Sequence, residues 1–259
     1  LVASNFDPTE LIVGRDKEIA NTGAPLIEPK EYDESVSSLD FGTGSIQIKR
    51  ITKDDIVAIQ KLPEVESLRE NYRINARYIT TENQKKYTLS AERFNPAQTP
   101  ELEAGSLPAG NVDLPSGTLL LPNAYINVLG FASAEQAIGK SVEILVARDN
   151  PLYPSAATAQ HTAKTEKFTI QAVTKKAATS IAAGQMPVMI GGQDARSLYD
   201  FTTKGTSDYE KYTFVSVRIK GGENEETLLA AKRNLEAMGF YVQSSKDIQK
   251  TITQVVNIL

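Results

Sequence analysis

The sequence predicts an α+β fold in two parts, and three observations lead there. Two stretches near opposite ends of the chain each read strand, helix, strand, at Ser45–Thr81 and at Tyr212–Gln243. Between them lies a long, strand-rich middle, punctuated by Gly and Pro, in which helical patterning is brief. At 259 residues the chain suffices for one large domain or two small ones, enough to bury a real core.

Composition excludes several classes of function. The formal charge is 28 − 32 = −4, with acids and bases interspersed, so no clustered basic face offers itself to nucleic acid. Cysteine is absent, which rules out a disulfide framework and thiolate metal sites. No apolar run approaches the roughly 18 residues of a membrane span, and no charged-then-apolar leader opens the chain. The chain is expected to be soluble as given, with both ends cut from something longer.

Residues 1–40 are rich in Asp, Glu, Pro, Ser and Asn around one apolar patch, Leu11-Ile12-Val13, and read as an extended arm with little regular structure. From Phe41 a Gly-loosened turn leads into a strand at Ser45–Arg50. Thr52 then caps a helix whose first turn carries Asp54 and Asp55, placed to favour the positive end of the helix dipole. Pro63 stops that helix, and Val65–Thr81 reads as one long strand with a partner at Lys86–Phe94.

In the middle, Gly105, Pro108, Gly110, Pro115 and Gly117 punctuate a lead-in to the apolar strand Thr118–Leu121. A short helix over Asn123–Leu129, a turn at Gly130, a helical turn at Ala134–Ala137 and a strand at Val142–Val146 follow. Asp149–Thr165 lacks periodicity and reads as a projecting loop, in which Tyr153 and Pro154 are candidate partner contacts. Glu166–Thr174 and Met186–Ile190 are strands. Asp194–Phe201 is a helix with Ala195, Leu198 and Phe201 on its apolar side.

The closing part alternates as a strand at Tyr212–Ile219, leaving the side of Phe214 open, then turns at Gly221-Gly222. Glu223–Met238 is a helix with Leu228, Ala231, Leu235 and Met238 on one face, ended by Gly239. A strand at Phe240–Gln243 follows. Finally Ile248, Ile252, Val255, Val256 and Leu259 fall on one helical stripe. Each large aliphatic left in water forgoes roughly 1.5–3 kcal/mol, so this stripe must pack on something or run onward.

Three of these stretches resemble the extracytoplasmic domain of MacB/LolC-type ABC transporter permeases, the broad group that also touches FtsX. The family's Gly-x-x-x-Ile-x-Ile strand, acidic-capped helix and Leu-Pro-Gly-Val turn are matched by Gly42–Ile48, Thr52–Ile59 and Leu62-Pro63-Glu64-Val65. Glu64 departs from the family glycine, which is tolerable where the turn needs no positive φ. The middle matches at Leu102–Pro108, Leu119–Leu121, Leu129-Gly130 and Ile138-Gly139-Lys140. The third match is the strand, helix and strand of Tyr212–Gln243. The resemblance implies a porter-like subdomain of βαβ repeats made of both chain ends, 41–97 and 206–259. Into it would be inserted a β-rich, sabre-like subdomain, 98–205.

Catalytic motifs fail on inspection. Gly139-Lys140-Ser141 ends like a phosphate-binding loop, but alanine stands at 134 where glycine is needed, and a strand follows rather than a helix. His161 is the only histidine and lies in the small-residue loop with no carboxylate nearby. Asp54-Asp55 and Glu225-Glu226 sit at helix starts, where capping accounts for them. No catalytic residue, cofactor or metal site is expected. The resemblance implies a cytoplasmic ABC ATPase as partner through membrane spans, a homodimer, an adaptor of the membrane-fusion type, and a coupling role for the Ile248–Leu259 stripe. A secreted or surface adhesion module is the alternative.

Overall fold

The computed structural model describes residues 7–15, 36–40, 45–74, 76–82, 85–97, 100–110, 112–148, 163–175, 187–206 and 208–247. In chain order the first elements are β1 (Glu10–Gly14), β2 (Val36–Asp40), β3 (Ser45–Lys49), α1 (Lys53–Gln60) and β4 (Val65–Glu70). Next come β5 (Arg73–Ile74), β6 (Ala76–Thr80), β7 (Lys86–Tyr87), β8 (Ala91–Arg93), β9 (Leu102–Gly105), β10 (Thr118–Pro122), α2 (Ala134–Ala137), β11 (Ser141–Ala147), β12 (Ala163–Thr174) and β13 (Val188–Ile190). The last are α3 (Gly192–Thr203), β14 (Phe214–Ile219), α4 (Glu225–Ala237) and β15 (Tyr241–Ser244). The fold class is α+β.

Two units result. The first takes both ends of the chain, up to Asn71 and again after Thr206, and the second is Tyr72–Thr206. The chain therefore crosses between units at Asn71/Tyr72, earlier than the expected 97/98. The long strand read over Val65–Thr81 breaks there, because neither Asn71 nor Tyr72 continues the ladder of β4.

The first unit is a four-stranded antiparallel sheet in the order β15-β1-β14-β4. With α1 between β1 and β4, and α4 between β14 and β15, this is a βαββαβ plait of the ferredoxin-like type. Right-handed crossovers in opposite senses put both helices on the same face. Leu11, Val13, Val215, Val217, Ile219 and Val242 are buried beneath them. The expected arm over 1–40 is corrected here, because Glu10–Gly14 pairs on both sides within the sheet. Ser45–Lys49, expected as the first strand of a βαβ unit, instead pairs only with β2 in a separate ribbon, and β1 takes its role.

The helices of this unit follow their end signals. Thr52 and Asp55 form a capping box at α1, which buries Ile56 and Ile59. Asn224 caps α4 by accepting from Glu226 N at 2.9 Å and Thr227 N at 3.2 Å. Gly239, at φ +84°, closes α4 with the Phe240 N–H donating back to the Leu235 carbonyl. Glu64 needs no positive φ, since Glu210 is the only non-glycine with one among the described residues. Met238, expected on the buried face, is 38 % exposed, and Phe214 turns out to solvent at 41 %.

The second unit is one nine-stranded sheet, ordered β5-β8-β13-β10-β12-β11-β6-β7 with β9 also on β12. Helix α3 touches β5, β8 and β11 at once. β8 and β11 stand four strand spacings apart, roughly 19 Å in a flat sheet, and α3, with 12 residues, is about 18 Å long and reaches both. Leu119, Leu120 and Leu121 are all fully buried, as are Ala172 and Val173 of the parallel neighbour β12. Gly105 lies at φ +81°, and a Cβ there would come within 2.5 Å of the Gln171 carbonyl oxygen, so only glycine fits. The expected helix over Asn123–Leu129 shortens to a 3-10 turn at Asn123–Tyr125, and β12 begins three residues before the expected strand, within the expected loop.

Candidate functional site

The plait has two unlike ends, and the registers define them. β1 begins beside the end of β15, Leu11 facing Ser244. At this basal end the chain enters the sheet and leaves it. β1 and β4 both finish at the opposite, apical end, where β14 and β15 start, Gly14 facing Phe214 and Tyr241. The connection that carries the second unit and the one that carries the β2–β3 ribbon both depart from the apical end.

Each basal strand end is locked by a charge. On entry, Asp7 accepts from Thr9 N at 2.8 Å and from Thr9 Oγ1 at 2.6 Å, and its other oxygen pairs with the Arg218 guanidinium of β14. Thr9 is clamped in turn: its carbonyl accepts from Ile219 N, and Gly222 packs so close that a Cβ there would lie 3.2 Å from Thr9. On exit, Ser244 and Asp247 form a capping box. Asp247 Oδ2 accepts from Ser244 N and Oγ at 2.8 Å each, and the Asp247 N–H donates to Ser244 Oγ at 3.3 Å. Helical backbone begins at Ser245.

Lys232 of α4 donates to the same Asp247 oxygen at 2.7 Å, fastening the start of this helix to the plait. Partial burial works to raise the Asp247 carboxyl, but the hydrogen bonds from Lys232 and Ser244 and the Lys232 charge outweigh it and bring it down to about 2. Lys246 pairs with Glu225 at 2.6 Å on the exposed surface. Pro8, Leu11, Leu228 and Leu229 line a shallow depression beside this exit.

The apical end is fastened differently. Arg15, just past β1, pairs with Asp55 in the α1 capping box and lies 4.4 Å from the Phe240 ring centroid. Burial raises the Asp55 carboxyl, while Arg15 and the Thr52 backbone lower it further, for a net fall. The returning chain is stapled by Ile51 and Tyr212, which exchange backbone bonds at 2.7 and 2.9 Å, and by Lys53–Glu210 at 3.3 Å.

Of the residues expected to act, Ile248, Ile252, Val255, Val256, Leu259, Tyr153 and Pro154 lie outside the described residues, as does His161, for which no role was expected. The basal pairs were not singled out from sequence, although Ser244-Ser245-Lys246-Asp247 before the apolar stripe is a capping-box signature. In the Gly139-Lys140 turn, Gly139 N donates to the Ile170 carbonyl and Lys140 N to that of Ala137, so those amides are not presented to a phosphate. Among the described residues no group of three or more His, Cys, Asp or Glu is placed to hold a metal. No described helix is long and apolar enough to cross a membrane.

The molecule is thus a discontinuous α+β domain, a plait interrupted at its apex and entered and left at its base. No family model matches the chain, and no curated protein matches it. Among solved structures it is similar to the periplasmic region of MacB from Actinobacillus actinomycetemcomitans, at 13 % identity over 96 % of this chain and 94 % of that one, TM-score 0.49. A domain assigned to a permease protein from Porphyromonas gingivalis matches at 15 % identity over 93 % and 89 %, TM-score 0.40. The extracellular domain of the noncanonic ABC-type transporter YknZ from Gram-positive bacteria matches at 12 % identity over 75 % and 90 %, TM-score 0.39.

Proposed function

We propose that this chain is the extracytoplasmic domain of a MacB-type ABC transporter permease. In this reading it catalyses nothing and passes motion, driven by ATP hydrolysis in a cytoplasmic partner, to export or mechanical signalling at the outer face of the membrane. The observation that carries the proposal is the polarity of the plait. Entry and exit strands are antiparallel neighbours opening at one end, each locked by an ion pair, and both insertions depart from the other end. A domain set between two membrane spans requires that arrangement, whereas a module strung in a surface array is served better by ends at opposite poles. The motif resemblance at Gly42–Val65, Leu102–Lys140 and Tyr212–Gln243 supports the same reading. A homodimer and a membrane-fusion adaptor belong to the proposal, as does coupling through Ile248, Ile252, Val255, Val256 and Leu259 beyond the Asp247 anchor.

The absence of native cysteine makes the test direct. In the full-length protein, with any cysteine outside these 259 residues replaced by serine, Lys140→Cys is the single thiol, and a membrane-impermeant maleimide should label it in spheroplasts before lysis. Labelling only after lysis overturns the proposal. In the same full-length protein, Ile252→Asn with Val256→Asn should lower transport per ATP hydrolysed while hydrolysis continues, and an unchanged ratio removes the coupling role from the stripe.

A further inference from the structure

Strand directions and attachment points decide how the plait bears force. β1 is entered at its first residue from the base, and β14 is entered at its first residue from the apex. These two strands are antiparallel neighbours, so a pull between base and apex drags them past each other along their length. All five register pairs, from Glu10↔Arg218 to Gly14↔Phe214, are then loaded together and must fail together. Side chains reinforce this ladder. Arg69 of β4 reaches across β14 to both carboxylate oxygens of Glu10 at 3.1 Å, Asp7 is paired with Arg218, and Ile219 N donates to the Thr9 carbonyl at 3.1 Å beyond the last register pair. Glu10 is only 6 % exposed although it stands on the face without helices, so the strap is sheltered from competing water.

The pairing of β1 with β15 has the opposite geometry. Pro8 and Lys246 lie just outside these two strands at the base. Drawing those two points apart opens Leu11↔Ser244 first, then Ile12↔Gln243, Val13↔Val242 and Gly14↔Tyr241 in turn. Pairs that break singly offer little resistance at any moment.

We infer that the plait is mechanically anisotropic: a stiff strut between base and apex, carried by the β1–β14 ladder with its Glu10–Arg69 strap, and a weak clasp across the base, formed by β1 and β15. This deepens the permease reading, on which its cellular meaning rests, since a domain that relays displacement must not yield along the relay axis. The clasp places the compliant step where the chain enters and leaves the sheet.

Single-molecule pulling on the whole 259-residue chain tests this, with engineered cysteines as the only handles. Pro8→Cys with Thr213→Cys loads the β1–β14 ladder along its length, and Pro8→Cys with Lys246→Cys loads the clasp. At equal pulling speed the first pair should rupture at several-fold higher force. Glu10→Gln, checked for an unchanged folded spectrum, should lower the first force and leave the second where it was. Equal forces, or a higher force across the base, overturn the inference, as does a Glu10→Gln effect of equal size in both geometries. A force ratio as expected alongside maleimide labelling only after lysis leaves the strut standing and removes the permease reading, so the two failures are distinguishable.

Discussion

The two units solve the burial problem in different ways. In the plait one sheet face carries the helices and the other does not, so Leu11 and Val13 point toward the helices, while Glu10 and Arg218 tie up charge on the face without them. In the inserted unit the middle strands are covered on both sides, so Leu119-Leu120-Leu121 is an unbroken buried run. Where a strand has two covered faces, stability rests on packing. Where it has one, specific charges carry a larger share, and pH becomes a lever.

The strongest test of this contrast is excision. Replacing 72–206 with a short Gly/Ser turn joins β4 to β14, which are antiparallel neighbours a hairpin can connect. A folded plait with one cooperative melting transition is expected, and loss of cooperativity in calorimetry means that the plait depends on its insertion. Next in size are two core truncations in the intact chain. Leu120→Ala, which removes a fully buried side chain packed with Phe94, Leu114 and Ala172, should cost about 2–5 kcal/mol. Leu11→Ala, equally buried in the plait, falls in the same range of about 2–5 kcal/mol. If the units melt separately, each substitution lowers a different transition. A shared shift would merge the two units into one cooperative body.

Acid should act on the plait through Asp55 and Asp247. Both carboxyls are held below their unfolded values, Asp247 at about 2 against 3.8. A depressed folded pKa means that the stabilisation is fully present above the unfolded value and is lost as pH falls through the folded one. Between pH 4 and pH 2 the plait transition should therefore fall, and the fall should shrink in an Asp55→Asn, Asp247→Asn protein. Asp247 is a third exposed, so Lys232→Met should cost no more than about 1 kcal/mol at neutral pH. The smallest effect is expected at Met238, exposed at the end of α4, where Met238→Gln should stay within about 0.5 kcal/mol in thermal melts.

Much of the plait was legible because its signals are local. Thr52 with Asp55, and Gly239 after Met238, each mark a helix end within four residues of chain, whereas the start read at Glu223 moves to Glu225, because Asn224 is the cap. β1 was not legible. Leu11-Ile12-Val13 is short and apolar at every position, a pattern that a strand covered on one face only should not show, and its Asp- and Pro-rich surroundings read as an arm. Sheet order was equally hidden, since pairing Glu10 with Arg218 brings together residues that no local pattern links. The basal site was half legible. Ser244 and Asp247 announce themselves as a cap, but Lys232 on α4 and the pairing of Asp7 with Arg218 across 211 positions are set by tertiary packing. Met238 was misplaced because helical periodicity continues to the last turn whether or not a neighbour covers it.

The adjacency of Leu11 and Ser244 also bears on how such a domain arises. Cα atoms facing each other across an antiparallel ladder are about 4.5–5.5 Å apart, which is the span of a tight loop in any host protein. A gene segment encoding this plait can be spliced into such a loop without prying the host open, and the β4–β14 junction repeats the arrangement one level up, accepting the nine-stranded unit in the same manner. The nine-stranded unit thus enters where two antiparallel strands, β4 and β14, already meet, and any other exposed hairpin offers recombination the same kind of doorway.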